Sequence, residues 1–198
     1  MQNICWKVII WFHSKYMKRK IIELLIPVIC NKGYSEMSIS CIANATKLKK
    51  SSIYHFFPEG KSQIALEIIL YVDEILSAQF NEIISNDAAP KVKYYKLLDA
   101  LSDFYQFGKR NCLLDVTTIA NANPKIQTAS KNLLNKLINT FYLVFTERGL
   151  NKQEAEQKAV EVITLIQGSL ILCRATEENK LFLNLIKSLK SKFDLLDH

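Results

Sequence analysis

Apolar residues recur at helical rather than strand spacing along nearly the whole of this 198-residue chain. Residues 18–32 place Ile21, Ile22, Leu25, Ile26 and Ile29 on one face and end at Gly33, a residue suited to closing a helix. Pro27 falls inside this helix, on the face assigned to solvent, where a lost backbone bond and a kink are best tolerated. Ser38 opens a short helix to Ala45. Lys49–Phe57 makes another, stopped by Pro58-Glu59-Gly60. A long helix runs from Lys61 to Ser85 with Ile64, Ile68, Val72, Leu76, Phe80 and Ile83 as its stripe, and 86–90 is a loop. Further helices are predicted over 91–107, broken by Gly108–Asn111, over 112–122, and over 125–148. The last two run from Asn151 to Thr176, behind the capping box Asn151-Lys-Gln-Glu154, and over 180–196. The expectation is an all-α chain without repeats or long linkers.

Composition agrees. The chain is 49% apolar and 23% charged, with 5 Gly and 4 Pro, too few for the tight turns of an all-β fold. Five scattered cysteines (Cys5, Cys30, Cys41, Cys112, Cys173) form no C-x-x-C pair, which suits reduced, buried thiols in a cytoplasm better than disulfides or zinc. His13, His55 and His198 are far apart, and H-E-x-x-H, G-x-S-x-G and glycine-rich phosphate loops are absent. No catalytic residue, metal ligand or cofactor is therefore assigned. Val8–Phe12 is an apolar run too short for a signal sequence or a membrane span. Met17 could itself serve as a start, so residues 1–16 are set apart as an N-terminal extension.

Charge is distributed unevenly. The net +7 sits entirely in residues 1–61, which hold 10 of the 26 Lys and Arg but 3 of the 19 Asp and Glu. Such a third favours a polyanion, nucleic acid before an anionic membrane. Within it, residues 38–57 read as two short helices joined by a tight turn, a helix-turn-helix pattern. Ile39, Ile42, Ala43, Leu48 and Ile53 face inward, and the second helix exposes Lys50, Ser51, Ser52 and His55. Short polar side chains there let the backbone approach base edges, while flanking cations hold phosphates.

Lys32-Gly-Tyr-Ser-Glu-Met-Ser-Ile-Ser-Cys-Ile-Ala43 and Lys50-Ser-Ser-Ile-Tyr-His-Phe-Phe-Pro-Glu-Gly-Lys61 resemble the TetR family of bacterial transcriptional regulators. Phe57-Pro58-Glu59-Gly60-Lys61 looks like the LmrA/YxaF-like branch. So do Arg110-Asn-Cys-Leu-Leu114, Arg148-Gly-Leu150 and Gln167-Gly-Ser-Leu170 with Arg174. The resemblance implies a three-helix DNA-binding domain over 17–61 and a helical effector-binding and dimerisation domain over 62–198. It makes Tyr54 and His55 a phosphate-contacting pair and a double-stranded DNA operator the partner, with repression commoner than activation. Lys61, opening a helix, would face a phosphate together with first-turn amides. Ser38 is an N-cap with a possible backbone contact.

Three positions depart from the family pattern. Lys47 stands where the turn usually has Gly, Lys49 replaces a Ser-type N-cap, and Cys41 stands where an acid would complete a capping box with Ser38. The two lysines add charge beside the groove.

In the C-terminal part, Val160–Cys173 is apolar nearly all round, so it is expected to pack on two sides. Ile163, Ile166, Gly168 and Leu170, with Phe182, Ile186 and Leu189, are expected at a homodimer interface. Phe104, Tyr105, Phe141 and Tyr142 are candidates for a pocket holding a small hydrophobic effector, with core filling as the alternative for each. Two other classes stay open: a ligand-binding α-helical dimer whose helix-turn-helix no longer reads DNA, and a helical enzyme. A cytoplasmic protein without membrane partners is expected.

Overall fold

The structure is a computed structural model that describes residues 2–114 and 123–195, with side chains from Lys15 onward. Among the described residues it is all helical. Helix α1 spans Gln2–Glu36, α2 Ile39–Thr46, α3 Lys50–Phe56 and α4 Lys61–Ser85. They are followed by α5 (Pro90–Phe104), α6 (Pro124–Glu147), α7 (Lys152–Thr176) and α8 (Lys180–Asp194).

The predicted boundaries hold to within a few residues at most ends, for identifiable reasons. Gly33 interrupts α1 at φ 77°, ψ 165°, and Pro27 lies on its solvent side. Ser38 caps α2 by accepting from the Cys41 amide at 3.1 Å. Pro124 opens α6 behind Asn123, whose side chain accepts from the Lys125 amide. The Asn151–Glu154 capping box forms in both directions at 3.0 and 3.2 Å. Two expectations differ. Upstream, α1 continues without a break past Met17 to Gln2, so the first helix does not start at residue 18. Downstream, α5 ends at Phe104 rather than 107, because the chain turns left-handed at Gln106 and Phe107. The predicted 112–122 helix falls largely outside the described residues.

One hydrophobic cluster runs from Ile21 in α1 to Phe193 in α8. In the N-terminal part α1 packs on α2 and α4, and α2 on α3. In the C-terminal part α7 lies along α6 and α8, and α6 along α4. Helix α4 is thus shared. Ile64, Ile68 and Val72 are buried beside the first helices, and Lys136 of α6 reaches Asp73 of α4 at 2.6 Å. At the far end Tyr94 stacks on Phe193 with centroids 4.1 Å apart, flanked by Phe141 and Phe145. Each fully buried Ile or Phe contributes roughly 1.5–3 kcal/mol, so this seam carries much of the C-terminal stability. Helix α7 is long and apolar enough to cross a membrane by composition alone. Here it packs as a core helix of the bundle, with Val162, Ile163, Ile166 and Leu170 inside.

Candidate nucleic-acid interface

Three side chains with no exposed surface, Ile42, Ile53 and Phe57, lock α2 and α3 across one another and onto α1. Lys18 of α1 sits 5.1 Å over the Phe57 ring and pairs with Glu67 of α4 at 2.6 Å. The two-helix unit is therefore held against α1, which is itself tied to α4.

The turn between them has an unusual construction. Lys47 caps α2 at φ 58°, ψ 25°, a left-handed conformation that favours glycine. Thr46 donates its hydroxyl back to the Ile42 carbonyl one turn earlier in α2, at 2.8 Å. Lys49 is the N-cap of α3 at φ −70°, ψ 149° and gives no side-chain cap bond. Both departures from the family pattern are thus built into the backbone, and both leave an exposed ammonium group beside α3.

Helix α3 is seven residues, about 10 Å long at 1.5 Å per residue, which suits insertion into a major groove about 12 Å wide. Ile53 points inward. Lys50, Ser51, Tyr54 and His55 are exposed and Ser52 is half-buried. Tyr54 is 49% exposed, so its hydroxyl end is free to reach a phosphate while its ring rests on the protein. Gly60, at φ 64°, passes beneath that ring. Residues 37–58 contain Lys47, Lys49 and Lys50 and no Asp or Glu. The face is therefore uniformly positive, without internal ion pairs to neutralise it.

Two expected contacts are otherwise engaged. The Lys61 ammonium donates to the Ser35 carbonyl at 3.2 Å and lies 4.3 Å over the Tyr34 ring, tying α4 to the end of α1. Ser38 is exposed, but its hydroxyl is occupied as the α2 cap.

The C-terminal assignments need correction. Ile163, Ile166, Leu170, Phe182, Ile186 and Leu189, expected at a dimer interface, are buried in the protomer's own core. Helices α7 and α8 use that face on each other, α7 also on α6 and α8 also on α5. Gly168 is exposed, and the outward stripe of α7 is Val160, Thr164, Gly168, Ile171 and Leu172. Nearly all-round apolarity signalled two packed sides but did not say which side faced outward. Nor do the four pocket candidates share one role. Phe141 and Tyr105 are buried core rings, Tyr105 accepting from Gln167 Nε2 at 3.3 Å. Phe104 lies half-buried between Tyr105 and the Arg110 guanidinium. Tyr142 instead borders an open groove of ≈ 390 Å³ with Ile138, Asn139 and Lys152.

Residues 106–188 match the family described as transcriptional regulator LmrA/YxaF-like, C-terminal domain. Among curated relatives, the chain is 22% identical over 159 residues to an uncharacterised HTH-type transcriptional regulator, YxaF, of Bacillus subtilis, covering 78% of this chain and 83% of the relative. It is 26% identical over 193 residues to an uncharacterised HTH-type regulator from the lacX 3' region of Lactococcus lactis, covering 93% of each. Its fold is similar to a TetR transcriptional regulator from Legionella pneumophila, with TM-score 0.79 at 22% identity over 87% of this chain and 94% of that one. A TetR-family regulator from Agrobacterium tumefaciens gives TM-score 0.78 at 16% identity, covering 90% and 98%. With the helix-turn-helix at one end and the matched region at the other, the chain has the fold of TetR-family regulators and is similar to them, and residues 106–188 match the LmrA/YxaF-like C-terminal class.

Proposed function

We propose that this protein is a ligand-responsive transcriptional repressor that binds a palindromic operator as a homodimer in the cytoplasm. The observation that supports this best is α3 itself. It is a short helix anchored by Ile53, with Lys50, Ser51, Tyr54 and His55 turned outward in a segment without a single acid. In this reading Ser51 and Ser52 lie nearest the bases, Tyr54 and His55 donate to phosphates, and Lys47, Lys49 and Lys50 neutralise the flanking backbone. Lys61 would join them by leaving the Ser35 carbonyl for a phosphate, and Ser38 contributes through the start of α2.

Pairing through the outward face of α7 would set two such helices against half-sites about 34 Å apart, or a multiple of that, on one face of the duplex. A small hydrophobic effector bound among α4–α7 would favour a bundle geometry in which that spacing no longer fits. Helix α4, common to both domains, is the direct mechanical link.

The test is a mobility-shift titration with the DNA upstream of the protein's own gene, across several salt concentrations. Site-selective binding, lost on Lys50→Ala with Tyr54→Ala while the dimer persists, is the expected result. Binding that responds steeply to salt but ignores sequence would favour instead an α-helical ligand-binding dimer that has lost operator reading.

A further inference from the structure

Between α5 and Leu114 the chain places three consecutive residues in the left-handed region: Gln106 (φ 50°), Phe107 (φ 57°) and Gly108 (φ 85°). Two of them are not glycine. Such a run persists only where its surroundings over-determine it. Here the surroundings come from three different helices.

Backbone bonds from the Phe107 amide to the Ser102 carbonyl (2.8 Å) and from the Arg110 amide to the Tyr105 carbonyl (2.9 Å) wind the turn. Gly108 is pressed against α8, where a Cβ would lie 2.7 Å from Phe182 Cβ. Asn179, just before α8, donates from Nδ2 to the Phe107 carbonyl at 3.3 Å. Gln167 of α7 donates to the Tyr105 hydroxyl at 3.3 Å. On the opposite side, Asn111 Nδ2 donates to the Cys30 carbonyl of α1, also at 3.3 Å. Cys30 lies in the last turn before the Gly33 break in α1. One short turn therefore bonds to the end of α1 and rests on α7 and α8.

We propose that this left-handed turn is a conformational coupling element that passes a shift of α7 and α8 to the end of α1, and thence to α2 and α3. It has a second arrangement available. Return of Gln106 and Phe107 to negative φ relieves their strain and moves Asn111 off the Cys30 carbonyl. The Phe107 ring is half-exposed, so it can swing without emptying the core. Transmission through packed elements needs such a discrete alternative. The regulatory consequence rests on the DNA-binding reading; the mechanical coupling does not.

Hydrogen–deuterium exchange on the full chain tests the coupling. Asn179→Ala removes the turn's bond to α8, and Gly108→Ala crowds Phe182 and strains the turn at φ 85°. Each is expected to speed exchange severalfold at amides 28–37, and operator affinity is expected to shift in parallel. In an Asn111→Ala background, Asn179→Ala is expected to add nothing further at those amides. Unchanged exchange at 28–37, or effects that simply add to that of Asn111→Ala, overturns the proposal. Should Gly108→Ala not fold, Asn179→Ala, which removes a single bond, decides alone. If the wild-type chain binds no DNA while the exchange coupling persists, the DNA reading fails and the coupling stands.

Discussion

Tyr54 rests its ring on Gly60: a Cβ at position 60 would sit 3.4 Å from Tyr54 Cε1, at a backbone φ of 64°. The glycine that ends the α3–α4 turn thus sets the tilt of the tyrosine that α3 presents. Gly60→Ala is expected to cost about 1–2 kcal/mol from the left-handed backbone alone, read as a lower unfolding midpoint. Tyr54→Phe keeps the ring and removes the hydroxyl. Its stability is expected to stay within about 0.5 kcal/mol of wild type, while operator affinity falls roughly five- to tenfold for the lost hydrogen bond.

Lys47 sets stability against charge. Lys47→Gly suits φ 58° and is expected to raise stability by about 1 kcal/mol in urea denaturation. The same change removes a cation from the groove edge, so the slope of log affinity against log salt is expected to fall by about 0.9. Gain in one measurement and loss in the other would show that the residue serves binding at the expense of the turn.

The outward stripe of α7 gives a contrast between two leucine-sized positions. Leu172, 55% exposed, is expected to tolerate Leu172→Glu in the folded protomer while sedimentation shows dimers lost. Ile166 has no exposed surface, so Ile166→Ala is expected to cost about 2–5 kcal/mol by opening a cavity, whatever the oligomeric state. Equal effects of the two variants on association would contradict this assignment of faces.

Alkaline pH should unfold the protein through its buried neutral acids. Burial pushes the Cys30 thiol up to about 12 from an ordinary value of 9.0, with the nearby Cys112 thiol and Arg110 as smaller, opposed influences. Burial likewise raises the hydroxyls of Tyr94 and Tyr105. These groups hold their protons in the folded chain at pH values where the unfolded chain releases them. Stability from this source is therefore complete below about pH 9 and declines as pH climbs towards 12. Thermal midpoints are expected to be flat between about pH 7 and 8.5 and to fall above 9, with a shallower fall for Tyr94→Phe.

The helices and the recognition unit were legible because their signals are local. Ser38, Gly33 and the Asn151–Glu154 pair act on their own backbone, and an Ile42–Ile53 contact follows from helical spacing across a short turn. Lys47 and Lys49 were readable as misfits, and the structure keeps them as such. What was not legible depends on packing between distant segments. Nothing near Gln106 or Phe107 announces a left-handed turn, because its supports, Asn179 and Phe182, lie more than seventy residues away. Lys61 is drawn to Ser35 and Tyr34 by the fold. The side of α7 that faces outward depends on where α6 and α8 lie, which apolarity on every side conceals.

Gly168 stands on that outward side, and beyond its own stretch of helix backbone no atom of the described residues comes within 4 Å of where a Cβ would be. Inside a helix a glycine is worse than alanine by about 1 kcal/mol, so the solitary chain gains nothing from bare backbone at this point. Gly168→Ala is then expected to make dilute protein tougher against heat yet poorer at self-association. The position would act as a spacer gauge: side-chain bulk at one residue sets how far apart two copies stand, and hence which operator spacing they can span.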